Sequence, residues 1–192
     1  MNSKVKLILI YDGKDEEEIG PALVTWATEV IAQRAEFECC LLEPTHLVGG
    51  PLDDDQPQRR EILRHLARAD AFLILASERS NGYSAKLKAI IDKVAIRLQA
   101  RPVAFIGYGG ESGGMNAIGQ LRQVVAGQHA VPICSFVTFP SPWTLFDECG
   151  VLRLQDQARL PMARMLVQLN WWARALKIAR EQKPYELVNQ YQ

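Results

Sequence analysis

The residues able to do chemistry fall in three loops: YDGKDEEEIG at 11–20, SERSNGYSAKLKAIID at 77–92 and GYGGESGG at 107–114. The last has five glycines in eight residues, more than a turn needs. Without Cβ atoms, its backbone N–H and C=O groups can come close to a flat ligand. A plain surface turn accounts for the same glycines, and short glycine patterns are weak signals alone. The first loop sets Asp12, Asp15, Glu16, Glu17 and Glu18 around one lysine, Lys14. Acids before a helix can cap its free N–H groups and match the positive end of its dipole.

Other reactive groups are scattered. His46, His65 and His129 are far apart and show no ligand spacing. Cys39 and Cys40 are neighbours in an apolar run, and adjacent strand residues point to opposite faces, so they cannot share a metal. With Cys134 and Cys149 they are expected to be reduced thiols in or beside the core, and no metal site is expected. The 22 basic and 22 acidic residues cancel, which leaves no basic excess to recruit nucleic acid or an anionic membrane. The apolar run Val5 to Tyr11 is too short for a membrane span and lacks a signal-peptide cleavage region. A cytoplasmic protein is expected.

The elements that must position the three loops are legible in the hydrophobic period. Strands are predicted at 4–11, 37–42, 70–77, 101–108 and 131–139. Between them, helical faces are marked by Ile19, Leu23, Trp26, Ala27, Val30 and Ile31, then by Ile62, Leu63 and Leu66. Leu87, Ile90, Ile91, Val94 and Leu98 mark the next, and Ile118, Leu121 and Val125 another. A turn-rich stretch fills 43–57, and a long helix is predicted from about 157 to 181. Strands that are apolar almost throughout must be covered on both faces, as parallel sheets are. No linker or repeat divides the chain, so 1–192 reads as a single domain, with an extended tail from about 183. Alternation alone leaves a flavodoxin-like and a Rossmann-like strand order both open; either binds ligands at the carboxyl ends of strands.

GYGGESGG followed by MNAIGQLRQVV resembles the corresponding loop and helix of the NADPH-dependent FMN reductase-like flavoproteins. PLDDDQP is similar to that family's acidic loop before the second helix, and ADAFLILASERSNGYSAKLKAIID to the strand entering its Pro-Glu-Tyr-Asn-Gly segment. FDECGVLRLQDQ and WWARALKIAR resemble its ending, so the likeness runs along nearly the whole chain. It implies a flavodoxin-like three-layer α/β/α sandwich with a five-stranded parallel sheet in the order 2-1-3-4-5. It also implies FMN, reduced by NADPH or NADH and reoxidised by a small-molecule acceptor such as a quinone. Glu78, Arg79, Ser80, Asn81, Gly82 and Tyr83 would then border the isoalloxazine. Gly107, Tyr108, Gly109, Gly110 and Gly113 would line its other edge with backbone groups, and Lys14 would reach the phosphate.

Two departures from the family pattern bear on that reading. Pro-Glu-Tyr-Asn becomes Ser77-Glu78-Arg79-Ser80, where the arginine can still stack on a ring. In the first loop the family's Ser, Thr and Arg are replaced by DGKDEEEIG, five carboxylates and one lysine. A unit charge pair about 6 Å apart at an effective dielectric near 20 is worth roughly 3 kcal/mol, so a phosphate facing one such carboxylate loses about two decades of affinity. The alternative to a reductase is therefore a flavin-poor relative that acts as a binding or assembly protein. An enzyme using another nucleotide-like ligand is a third possibility.

In the last helix, Met162, Leu166, Leu169, Trp172 and Leu176 form a stripe expected to dock on the sheet. Val167, Trp171 and Ile178 form a second stripe that the sheet cannot also cover, and a homodimer or tetramer through this helix is expected. The competing reading lays this second stripe under the C-terminal tail near Tyr185.

Overall fold

The computed structural model describes residues 3–13, 19–42, 57–147 and 155–185. In chain order its elements are β1 (Val5–Ile10), α1 (Ile19–Ala32), β2 (Phe37–Leu42), α2 (Pro57–Arg68), β3 (Ala71–Arg79), β4 (Gly82–Tyr83) and α3 (Ala85–Leu98). Then come β5 (Pro102–Tyr108), α4 (Met115–Gly127), β6 (Val131–Phe139), a 3-10 turn (Pro142–Leu145) and α5 (Gln155–Gln182). Lys14, Asp15, Glu16, Glu17 and Glu18 and the whole stretch 43–56 lie outside the described residues.

The five long strands pair in the order β2-β1-β3-β5-β6, every pairing parallel. This is the flavodoxin order, with β5 and β6 taking the fourth and fifth places. The two-residue β4 was not read from the sequence; it pairs antiparallel with the end of β3, Glu78 opposite Tyr83 and Arg79 opposite Gly82. That pairing carries β3 two residues past its predicted end at Ser77.

Strand alternation divides the core. Val5, Leu7 and Leu9 of β1 face α1 and α5, meeting Leu23, Trp26, Ile31, Met162 and Leu166. Ile8 and Ile10 face the other way, toward Leu66 of α2, Ile90 and Val94 of α3, and Ile118 and Leu121 of α4. Because both faces of β3 and β5 are covered, these strands are buried along nearly their whole length, as their continuous apolar runs require.

At the amino ends of the strands α5 is tied to the sheet by polar contacts. The buried Asp70 carboxylate accepts the Lys6 backbone N–H at 3.1 Å and pairs with Lys177 Nζ at 3.2 Å. Arg180 donates to the Ala100 carbonyl at 2.6 Å, and Arg101 Nε to the Ala69 carbonyl at 2.7 Å. Both arginines thus satisfy carbonyls just beyond the carboxyl ends of helices, where cations are favoured.

The docked face of α5 corrects the sequence reading in one place. Ala158, Met162, Met165, Leu166, Leu169 and Ala173 are buried, whereas Trp172 remains 37% exposed and Leu176 is half-buried. At 3.6 residues per turn Trp172 sits roughly 70° from the centre of the docked face. The small Ala173 takes the place against the sheet.

Candidate functional site at the carboxyl ends of β1, β3 and β5

From β1 the chain turns to β2 on one side, while its other neighbour is β3. In such sheets the crevice at this switch point is where ligands bind. Two buried polar residues mark it. Asp12, two residues past β1, is 9% exposed, and Ser77, in β3, is 5% exposed. The Ser77 hydroxyl donates to Asp12 Oδ2 at 2.8 Å, joining the two strand ends. The carboxylate thus turns inward instead of out to solvent.

The second wall is the β3–β4 hairpin. Its two-residue loop, Ser80-Asn81, has positive φ at both positions, 49° and 62°, the geometry of a type I′ turn. Gln120 of α4 pins this turn by donating Nε2 to the Asn81 carbonyl at 2.9 Å. Arg79, Ser80 and Asn81 are exposed, Gly82 and Tyr83 half-buried. Of these hairpin residues expected to border a flavin, Tyr83 packs instead against the core on the α3–α4 face of the sheet.

Glu78 does something else. Its carboxylate accepts the Ser112 hydroxyl at 2.7 Å, the Asn116 N–H at 2.9 Å and Nδ2 at 3.0 Å, and the Ala117 N–H at 3.3 Å. Glu78 therefore caps the first turn of α4 from another strand. Partial burial pushes its carboxyl up, but the donors from Ser112, Asn116 and Ala117 outweigh that and hold it below the usual carboxylate range.

Most glycines of the 107–114 loop are required by the chain's own packing. A Cβ on Gly114 would run into the backbone of Tyr108 and lie 2.6 Å from the Gly107 Cα. On Gly113 it would sit 2.8 Å from Pro140 N, on Gly109 2.7 Å from the Glu78 carbonyl, and on Gly107 2.9 Å from Ile118 Cδ1. Gly110 differs: its φ is +51° and nothing lies within 4 Å of its Cβ position. The Tyr108 side chain is 3% exposed in the core, which leaves only its backbone for the site. The loop is tied down by Ser141 N–H donating to the Gly110 carbonyl at 2.8 Å. Of the glycine-loop residues expected along a flavin edge, Gly107, Gly109 and Gly113 are held in packing, and Gly110 alone of them has open space at its Cβ position, though its carbonyl is taken by Ser141.

Among the described residues no group of three or more His, Cys, Asp or Glu could hold a metal. No described helix is long and apolar enough to cross a membrane.

The doubly covered parallel sheet in the order β2-β1-β3-β5-β6 defines a flavodoxin-like protein. Within that class, a family model described as NADPH-dependent FMN reductase matches residues 5–144, and the chain belongs to that family. The fold is shared with FerB, a flavoenzyme NAD(P)H:(acceptor) oxidoreductase from Paracoccus denitrificans. The two are 15% identical with a TM-score of 0.68, covering 88% of this chain and 97% of that one. An oxidoreductase from Corynebacterium diphtheriae gives the same identity and TM-score, with 91% and 99% covered. An NADH:FMN oxidoreductase, EmoB, is 16% identical with a TM-score of 0.58, covering 90% and 88%. No curated protein sequence matches the chain.

Proposed function

We propose that the protein is an NAD(P)H-dependent flavin oxidoreductase that passes electrons from a nicotinamide, through a flavin, to a small acceptor such as a quinone. The observation that carries this is the parallel strand order with its switch point between β1 and β3, in a chain whose residues 5–144 match the FMN reductase family. Arg79 offers a planar cation, Ser80 and Asn81 a rigid turn, and Gly110 backbone that no Cβ shields. The flavin, when bound, supplies the hydride and electron chemistry; the chain supplies position and polarity. By the family resemblance Lys14 is the residue that would meet the flavin phosphate.

The test is a titration of the purified protein with flavin, followed by anaerobic addition of NADPH or NADH. Flavin binding, bleaching of its visible absorbance and reoxidation by a quinone support the reading. Absence of flavin binding, or no bleaching beyond that of free flavin, would overturn it in favour of a binding protein.

For the assembly, we propose a homo-oligomer formed through the outward face of α5, where Leu160, Val167, Trp171 and Ile178 are each more than half exposed.

A further inference from the structure

We infer that the cavity between α2 and the β1–β2 edge of the sheet binds an amphipathic anion, an apolar body with a single carboxylate or sulfonate, whose head is held by Arg64 and Arg68. None of the residues lining this cavity belongs to the three loops at the carboxyl ends of the strands, so the site is independent of the flavin reading.

The cavity follows from the residues on its two walls. On the sheet, Lys6 stands opposite Glu38 and Ile8 opposite Cys40, and strand alternation turns all four toward α2. At this edge a carboxylate and a small thiol take places that large apolar side chains fill in the central strands. On α2, Leu66 alone among the described residues is fully buried, while Ile62 and Leu63 are half-buried. The helix therefore stands off the edge strand and leaves a space of about 550 Å³. Cavities of roughly 300–1,000 Å³ hold small organic ligands. The floor is apolar, with Ile8 and Cys40 facing into it.

The rim supplies the charge. Arg64 and Arg68 lie one turn apart on α2 and both line the cavity. Neither has a hydrogen bond or ion pair among the described residues. Glu38 and Glu61 also line it, but each is more than half exposed and lies 3.9 Å from a neighbour, Lys6 Nζ and His65 Nε2 respectively. A second, smaller cavity shares Lys6 and Arg68 with the first and adds Arg101, Lys177 and Arg180. Its buried acid, Asp70, is already matched by Lys177 at 3.2 Å and Arg180 at 3.7 Å. Lys6 and Arg68 thus stand where excess positive charge meets an apolar floor. An exposed arginine alone holds an anion weakly. An apolar surface adds affinity with the area it covers, and the guanidinium fork matches the oxygens of a carboxylate or sulfonate. A ligand offering both parts uses the whole site.

The probe is anilinonaphthalene sulfonate, and its neutral counterpart is phenylnaphthylamine, which has the same rings without the sulfonate. Fluorescence titrations of the full chain with each are paired with alkylation of Cys40 by iodoacetamide. Peptide mass spectrometry reads the rate, with the exposed Cys134 as internal standard. At about ten times its Kd the sulfonate should slow Cys40 alkylation about tenfold, since only the empty cavity reacts, and leave Cys134 unchanged. The double variant Arg64→Gln/Arg68→Gln alters two exposed positions and should keep the wild-type circular dichroism. It should lose about tenfold or more in affinity for the sulfonate, the loss expected when charge-assisted hydrogen bonds go, and bind the neutral analogue as before. No binding of the sulfonate, binding that leaves Cys40 as reactive as it was, or undiminished sulfonate affinity in the folded double variant would each overturn the inference.

Discussion

The carboxylate of Glu78, at the end of β3, accepts the backbone N–H of Asn116 in the first turn of α4 at 2.9 Å. Thirty-eight residues separate the two in sequence. This contact ties the end of β3 to α4 and to the glycine loop, because Ser112 of that loop donates to the same carboxylate.

Glu78→Gln should cost about 1.5–3 kcal/mol, the range for hydrogen bonds to a charged group. The pH dependence has a definite sign. Burial raises the Glu78 carboxyl and its four donors lower it further than burial lifts it, so the folded value lies below the ordinary 4.5. Its contribution to stability is then complete above that ordinary value and is lost as pH falls through the folded one. Urea melts should show the full gap between wild type and Glu78→Gln near neutrality and a shrinking gap below pH 4.5. A gap that is constant with pH would count against the cap.

The long elements were legible because each carries its own signal. β3 and β5 are apolar without interruption, and α1 repeats its buried residues Leu23, Ala27 and Ile31 at helical spacing. The strand order was not in the periodicity; it came from the resemblance. What the period could not show is what depends on contacts between distant segments. A two-residue strand such as β4 has no period, and its turn is Ser80-Asn81, with the glycine one place beyond the central pair. Local capping patterns place the acid three residues into its own helix. Nothing in such a pattern finds Glu78 capping α4 from β3. By its sequence Asp12 is one more acid of a helix-capping, phosphate-repelling loop, and only the nearness of Ser77 across the sheet shows it turned inward.

The glycine loop can be tested by a pair of alanines. Gly110→Ala places a Cβ in open space at φ +51°, so only the left-handed strain, about 1 kcal/mol, should appear. Gly114→Ala combines φ +89° with a clash against the Tyr108 and Gly107 backbone. Strain and overpacking together should cost about 3 kcal/mol or more, lowering the melting temperature far more than the first variant. Equal losses would mean that Gly110 is also held in packing.

Thiol reactivity should rank by burial. Desolvation, with the neighbouring Cys40 adding to it, pushes the Cys39 thiol up to about 12, and desolvation also raises Cys40. Cys134, on the edge strand β6, is exposed. Since the thiolate is the nucleophile, iodoacetamide near pH 8 should alkylate Cys134 well before Cys40, and Cys39 last. Peptide mass spectrometry over time reads the order. Early labelling of Cys39 would show that β2 opens readily.

The outward face of α5 carries the last prediction. Leu160, Val167, Trp171 and Ile178 are spaced by seven, four and seven residues. At 100° per residue these four fall within about 40° of one another, opposite the docked face. The Trp171 ring meets Trp172 edge-on at 5.0 Å, so the stripe is flanked by a second indole. Seven-and-four spacing is the pattern of a helix seam that packs against another helix, and exposed stripes of this size usually mark a contact. A second copy of α5 is therefore the expected partner. Trp171 is 62% exposed and contributes little to the monomer's core. Trp171→Glu should accordingly leave the circular dichroism and melting of the subunit nearly unchanged at low concentration. It should convert an oligomer into a monomer in light scattering at micromolar concentration, because each copy would then place an unpaired carboxylate in the seam. A wild-type protein that is already monomeric there would rule out association through this face.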